Sequence, residues 1–332
     1  MTDTPTTTDT FGFAPQLPLG GLRDSVNRVR EAITNVLVGQ EEALDLLLIA
    51  LISDGHVLIE GAPGLAKTLT AKLLARTVDT GFGRLQFTPD LMPSDVIGTS
   101  VFDPRTTAFE FRPGPIFSNI VLVDEINRAP AKTQAALFEV MEERQATVDG
   151  VRHAMGSPFM ILATQNPIEQ EGTYRLPEAQ LDRFFFKIVI GYPALDQEVQ
   201  ILQRAHEGQG RLTVDAIDPV LTPQQLTDAR ALVRAVKCEA KLLRYIAQLV
   251  DHTRTDHALS LGASPRASLA MLIGANAAAA IAGRDFVIPE DIHFVATPVL
   301  RHRIQLTPER EMEGLLVDDV VKRIIERTEV PR

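Results

Sequence analysis

The sequence has a single cysteine, Cys238, in 332 residues, so no internal disulfide can form. That suits a reducing compartment. It also lacks a long apolar run. The longest, residues 43–52, is interrupted by Asp45 and falls far short of the ~20 residues that span a bilayer, so no membrane insertion is expected. The N-terminus has no basic stretch ahead of an apolar core, which argues against a secretory signal and for the cytoplasm. Basic residues are in deficit, 33 Lys and Arg against 43 Asp and Glu, for a net charge of −10. A strongly basic nucleic-acid footprint is therefore missing, although a basic pore inside an acidic ring stays compatible with this balance. Residues His252, His257, His293 and His302 do not show metal-ligand spacing and read as solvated or core histidines. Cys238 has no paired base and reads as core. No repeat of fixed period is found.

What is present is an ordinary soluble composition, 45% hydrophobic and 23% charged, in a length that suits about two domains of ~150 residues. Residues 1–18 are rich in Thr, Asp and Pro and read as a disordered tail. Helical spacing follows at 22–35 and 41–51, then a short apolar strand at 56–60, a turn opening at Gly61, and a helix over 67–77. Further strands are expected at 120–123, 159–163 and 185–190, with a helix at 132–144 between them. Apolar strands alternating with helices imply a parallel sheet covered on both faces, over residues 19–195. Gly191-Tyr192-Pro193 closes that region, and the strands are expected to stop there. Residues 196–220 read as a linker. Residues 221–332 read as a helical domain whose helices open on Thr222-Pro223, Ser264-Pro265, Pro289 and Thr307-Pro308.

Three stretches carry chemistry. The loop Gly61-Ala62-Pro63-Gly64-Leu65-Ala66-Lys67-Thr68, followed by Leu69, sits between strand and helix, the context of a phosphate-binding loop. Its backbone N–H groups and the helix end would face phosphate oxygens, Lys67 would reach the β and γ phosphates, and Thr68 would ligate Mg²⁺. Ala66 stands where the general pattern has glycine. The apolar strand at 120–123 ends in Asp124 and Glu125. Two acids closing a buried strand are costly unless compensated, and they suit a metal-holding Asp124 and a water-polarising Glu125. The strand at 159–163 runs into Thr164-Gln165-Asn166, where the Asn166 amide could hold the γ-phosphate or the water.

These stretches resemble the AAA+ family: a Walker A loop, a Walker B strand and a sensor 1 asparagine. Val38-Gly39-Gln40 is similar to that family's adenine-side box. The wording of 60–68, 124–129, 166–174 and 176–184 is closer still to the MoxR family, which also tends to carry alanine at the position of Ala66. The resemblance covers residues 20–325. It implies an α/β fold, an AAA+ P-loop αβα nucleotide-binding domain with a C-terminal all-helical lid domain, and ATP with Mg²⁺ as cofactors. It implies that Arg183 is an arginine finger acting on a neighbour's γ-phosphate and Arg266 a sensor 2 residue, acting within the subunit or across the interface. Arg128 is left between nucleotide sensing and an interface salt bridge. Hairpins are expected around residues 103–107 and at the Asp149-Gly150 turn. In related families such hairpins face the ring pore and touch clients. The implied function is Mg²⁺-dependent ATP hydrolysis driving remodelling or maturation of a client protein, in a homo-oligomeric, hexameric ring, with a partner bearing a von Willebrand factor A domain. The alternatives are a nucleic-acid translocase of the same branch and a slow, nucleotide-gated scaffold.

Overall fold

The computed structural model describes residues 17–166, 174, 176–207, 214 and 217–331. The expected tail up to residue 16, and the motif residues 167–173, lie outside the described residues.

Helix α1 (Gly20–Thr34) buries Leu22, Val26, Val29 and Ile33, the i, i+4, i+7 spacing of one helical face. Helix α2 (Glu41–Ile52) is buried without a break from Leu46 to Ile52, as expected of a helix apolar all round. The chain then runs β1 (Val57–Gly61), α3 (Lys67–Thr77), β2 (Phe82–Gln86), α4 (Pro93–Ile97), β3 (Gly98–Asp103), β4 (Ala108–Pro113) and β5 (Ile120–Asp124). A 3₁₀ turn over Ile126–Arg128 leads into α5 (Ala131–Glu143), β6 (Gln145–Val148), β7 (Val151–Ala154), β8 (Met160–Gln165), α6 (Glu178–Leu181), β9 (Phe186–Ile190) and α7 (Leu195–His206).

Five strands form one parallel sheet in the order β2-β5-β8-β1-β9. Side chains alternate across it. Val57, Ile59, Ile120, Leu122, Leu162 and Ile188 join one core, while Leu58, Val121, Val123, Ile161 and Ala163 join a second core with α5. Both faces are thus covered, which is why these strands read as continuous apolar runs. The sheet sets β8 between β5 and β1, so the expected amide falls between the carboxylate strand and the loop strand.

The C-terminal region holds α8 (Pro223–Ala235), α9 (Ala240–Thr255), β10 (Leu259–Leu261), α10 (Pro265–Ile281), α11 (Pro289–Leu300), β11 (Gln305–Leu306), α12 (Pro308–Met312) and α13 (Val317–Arg327). The helix starts lie where the caps place them. Thr222 and Gln225 form the reciprocal capping bonds, and Ser264 Oγ accepts from the Arg266 amide at 3.2 Å. Helix α10 lines its inner face with Ala267, Ala270, Ala275 and Gly274. A Cβ on Gly274 would stand 3.3 Å from Val295 of α11 and from Phe186 of β9, so small residues let α10 lie close against the sheet edge. The lid therefore shares one core with α1, α2 and the sheet.

Two expectations need correction. Strands do not stop at Pro193: β10 and β11 pair as an antiparallel ribbon inside the otherwise helical lid, too short to leave an alternating pattern. The stretch 196–220 opens with helix α7 rather than irregular chain. Among the described residues no helix is long and apolar enough to cross a membrane.

Candidate functional site

Strand β1 delivers the glycine loop at the C-terminal edge of the sheet. Gly61 is required by crowding, since a Cβ there would lie 2.7 Å from the Ile190 carbonyl oxygen of β9. Gly64 (φ 84°) and Ala66 (φ 55°, ψ 18°) both have left-handed backbones. Ala66 thus adopts the conformation that glycine takes freely, at a cost of about 1 kcal/mol for an L-residue. This curls the loop ahead of α3 so that Lys67, Thr68 and Leu69 form its first turn, with the positive helix end facing the loop. Lys67 Nζ donates to the Gly61 carbonyl at 2.6 Å, folded back over the loop it serves. Gln40 Nε2 donates to the Leu65 carbonyl at 3.0 Å, which fastens Val38-Gly39-Gln40 to the loop. Ala62 and Leu65 are buried beneath it, and Pro63 and Gly64 form its exposed tip.

Two strands over, β5 ends in Asp124, which is buried, and Glu125, whose backbone is left-handed (φ 57°, ψ 51°). Thr164 of β8 braces both. Its hydroxyl accepts from the Glu125 amide at 3.0 Å and donates to Asp124 Oδ1 at 3.2 Å. Arg84 Nε on β2 holds Asp124 Oδ2 at 2.8 Å. The Glu125 carboxylate accepts from Gln86 Nε2 at 2.9 Å and pairs with Arg128 Nε at 3.1 Å. Arg128 therefore meets Glu125 of its own subunit. Asn166 follows β8 and is buried at the same edge. The hydroxyl of Thr68 and the carboxylate of Asp124 are hard oxygen donors on elements that open on one edge, which fits Mg²⁺. Among the described residues no cluster of three His, Cys, Asp or Glu could cage a metal alone. An ion here would draw its remaining ligands from phosphate and water.

The two other arginines lie elsewhere. Arg183 precedes β9 by three residues, and the first residue of β9, Phe186, pairs with Val57 at the start of β1. The strands are parallel, so Arg183 is at the N-terminal edge, a β1 length from the loop, or about 16 Å at ~3.3 Å per residue. Arg183 Nη2 binds Glu142 Oε2 at 2.8 Å, and Arg266 Nη2 binds Glu142 Oε1 at 3.0 Å. One carboxylate at the end of α5 thus gathers both arginines at the edge opposite the loop. The segment behind them is fixed by Arg303 from the lid, almost wholly buried. Its guanidinium donates to Asp182 Oδ1 at 2.7 Å and to the carbonyls of Asp182 and Phe185 at 3.1 and 3.2 Å. Asp182 Oδ2 in turn accepts from Ser264 Oγ, the cap of the helix that carries Arg266.

Sequence reasoning missed Arg84, Gln86, Thr164, Glu142 and Arg303 as site residues. Thr164 stood inside a quoted motif, while the others carry no local signal. Both expected hairpins are formed. Residues Asp149 and Gly150 have φ of 51° and 79°, the left-handed pair of a type I′ turn. The two hairpins meet where Phe111 stacks on His153, with ring centroids 3.8 Å apart, leaving the cross-strand pair Phe102 and Phe109 exposed. Of the histidines singled out in the sequence, His293 bonds Tyr245, His252 bonds Thr328 and His302 bonds the Phe184 carbonyl, while His257 is exposed. Burial pushes the half-buried Cys238 thiol up, away from a reactive thiolate.

Comparison with known proteins gives the following. Residues 56–186 match the model of the ATPase family associated with various cellular activities (AAA), and residues 251–324 match the AAA lid domain. A Bacillus subtilis protein, YeaC, is 43% identical over 310 residues, 93% of this chain and 96% of its own. Chaperone MoxR1 of Mycobacterium tuberculosis is 40% identical over 331 residues, 96% of this chain and 86% of its own. A solved structure from Cytophaga hutchinsonii superposes with a TM-score of 0.86 at 39% identity, covering 94% of this chain and 97% of that one.

Proposed function

The chain belongs to the MoxR family of AAA+ ATPases, and from that premise we propose that it hydrolyses ATP with Mg²⁺ at a site shared between two copies of itself. The observation that carries this reading is the separation of Lys67, Asp124 and Glu125 from Arg183 and Arg266, at opposite edges of one parallel sheet. No subunit can close the two halves on one nucleotide without dismantling β1 and β9. Head-to-tail repetition closes them on a ring, for which we propose six subunits.

The residues divide the work as follows. The loop amides and Lys67 hold the phosphates, and Val38, Gly39 and Gln40 border the base. Thr68 and Asp124 would hold Mg²⁺, which when bound would supply charge neutralisation at the phosphates. Glu125 orients and polarises the attacking water, with Asn166 beside it. Arg183 and Arg266 of the neighbour meet the negative charge of the γ-phosphoryl group. Glu125 is held by Gln86 and Arg128, and Asp124 by Arg84. These contacts favour low basal turnover that rises when the carboxylates are released.

The cycle would serve remodelling or maturation of a client protein, engaged by the exposed hairpin residues Phe102 and Phe109, together with a partner bearing a von Willebrand factor A domain. The acidic balance argues against a nucleic-acid translocase, and the single cysteine suits the cytoplasm. Glu125→Gln tests the chemistry. Calorimetry should show ATP bound as in the wild type, while steady-state hydrolysis falls at least ~100-fold. Wild-type turnover in this variant would move the base elsewhere and sink the assignment.

A further inference from the structure

Helix α7 is built inside out. Arg204 on its inner side donates to the carbonyls of Thr34 and Asn35 at 3.2 and 3.0 Å. Gln197, also on that side, sits so close to Gly39 that a Cβ on the glycine would lie 2.6 Å from its side chain. At roughly 100° per residue, Leu195, Val199 and Leu202 project about 180° from that polar side. With Tyr192 just ahead of the helix they form a row of four large apolar residues, exposed by 42% at Val199 and 77% at Leu195. No residue of α7 is buried. A stripe of this kind is normally turned inward, and one turned outward marks an interaction surface.

A second outward stripe begins at Arg266. Leu269 and Ile273 follow it at i+3 and i+7 on α10, on the same helical face, and both are exposed, Leu269 by 60%. Their positions relative to the chemistry differ. Helix α7 abuts Gly39, next to the Gln40 that is bonded to the phosphate loop, and so borders the nucleotide half of the site. Helix α10 opens on Arg266 and so borders the arginine half.

We propose that the α10 stripe of one subunit packs on the α7 stripe of the next, and that this apolar contact brings the arginines of the first to the nucleotide of the second. The proposal rests on the reading above that a second copy completes the site. A second copy is the occupant because the two stripes flank the two halves that must meet. Were α7 covered by a foreign protein, the face through which Arg183 and Arg266 must enter would be closed. The contact joins unlike surfaces, so it repeats head to tail and cannot close a two-fold dimer.

Two variants test it: Leu195→Glu with Leu202→Glu on α7, and Leu269→Glu with Ile273→Glu on α10. All four positions face solvent, so each subunit should fold, as checked by circular dichroism and a wild-type melting temperature. In sedimentation velocity with ATP, the wild type should form rings and each variant alone should stay monomeric. An equimolar mixture should stop at a one-to-one dimer, because only one of the two contacts is intact between the variants. Rings formed by either variant would overturn the stripe pairing and leave the shared site standing. A mixture with no dimer would show that the stripes do not meet each other. A wild type that is monomeric with ATP, at every concentration, would overturn both this proposal and the shared site.

Discussion

Thr164 carries two hydrogen bonds on one hydroxyl, accepting from the Glu125 amide and donating to Asp124. It fixes the left-handed turn at Glu125 and the orientation of Asp124 together. Thr164→Val keeps the shape and removes both bonds, leaving buried polar groups unpaired at about 1–3 kcal/mol. We expect a lower denaturant midpoint, and hydrolysis reduced more than ATP affinity; a variant matching wild type in turnover would deny Thr164 this role. Buried histidines act on stability instead. His56 accepts from the Ile161 amide at Nδ1 and donates from Nε2 to the Met141 carbonyl, and His302 bonds the Phe184 carbonyl. Burial, aided by Arg144, pushes His56 down from 6.5 to about 3, and burial with Arg303 pushes His302 well below its ordinary value. The unfolded chain takes up these protons near pH 6.5 and the fold refuses them. The His56 contribution is therefore full above pH 6.5 and is lost as pH falls toward 3, by about 1.4 kcal/mol per pH unit, and His302 acts in the same direction. Melting temperatures at pH 7.5 and 5.5 should differ less in His302→Gln than in wild type. An equal difference would contradict the neutral ring. Residues 61–68, 124 and 125 were legible because a phosphate loop and a strand-ending acid pair are contiguous in sequence. Thr164, Arg84 and Gln86 gain their roles from strand order alone. Arg84 reaches Asp124 only because β2 lies beside β5.

At the scale of elements, the segment carrying Arg183 is not self-supporting. Arg303 and Ser264, both from the lid, hold Asp182 on either oxygen. Asp182→Asn weakens both bonds while leaving the phosphate loop untouched. Because a misplacement of ~1 Å can cost about 100-fold, we expect kcat to fall between about 10- and 100-fold with little change in ATP affinity. A purely structural loss would lower both, and an unchanged kcat would show that the lid does not set the finger. The strands were readable where apolar runs are pure, as in β1, β5 and β8. Strand β2 was not located, since Phe82–Gln86 carries Gly83 and an outward Arg84. Residues 196–220 read as linker although Leu195, Val199 and Leu202 have helical spacing; what no sequence pattern shows is that this stripe faces solvent while polar residues anchor the helix. The ribbon of β10 and β11 pairs Leu259 with Leu306 and Leu261 with Gln305, residues far apart in the chain, and left no local trace.

At the scale of the whole molecule, the prediction concerns sharing. Arg183→Ala should bind ATP and lose turnover by roughly 10³-fold, the scale of a finger in related phosphoryl transfer. Mixed with Glu125→Gln subunits, themselves inactive, it should recover part of the activity, since some contacts then pair an intact Glu125 with an intact Arg183. Mixed rings that show no recovery would exclude a finger supplied by the neighbour. The wording of the motifs made ring assembly an expectation, but whether Arg266 serves its own nucleotide or another's could not be read from them. The proposal that it serves another's rests on Glu142, which gathers Arg266 with Arg183 across 124 and 41 positions of chain. Strand β9 joins the two halves within each subunit: the carbonyl of its last residue, Ile190, crowds Gly61 of the loop, and its approach carries Arg183. On the proposed ring, a shift of the loop on binding or release of phosphate would be felt first at β9, the strand of five residues whose approach carries the arginine offered next door. In such a ring each subunit would receive at one face and give at the other, so the direction of a single strand would set the sense in which neighbours are coupled.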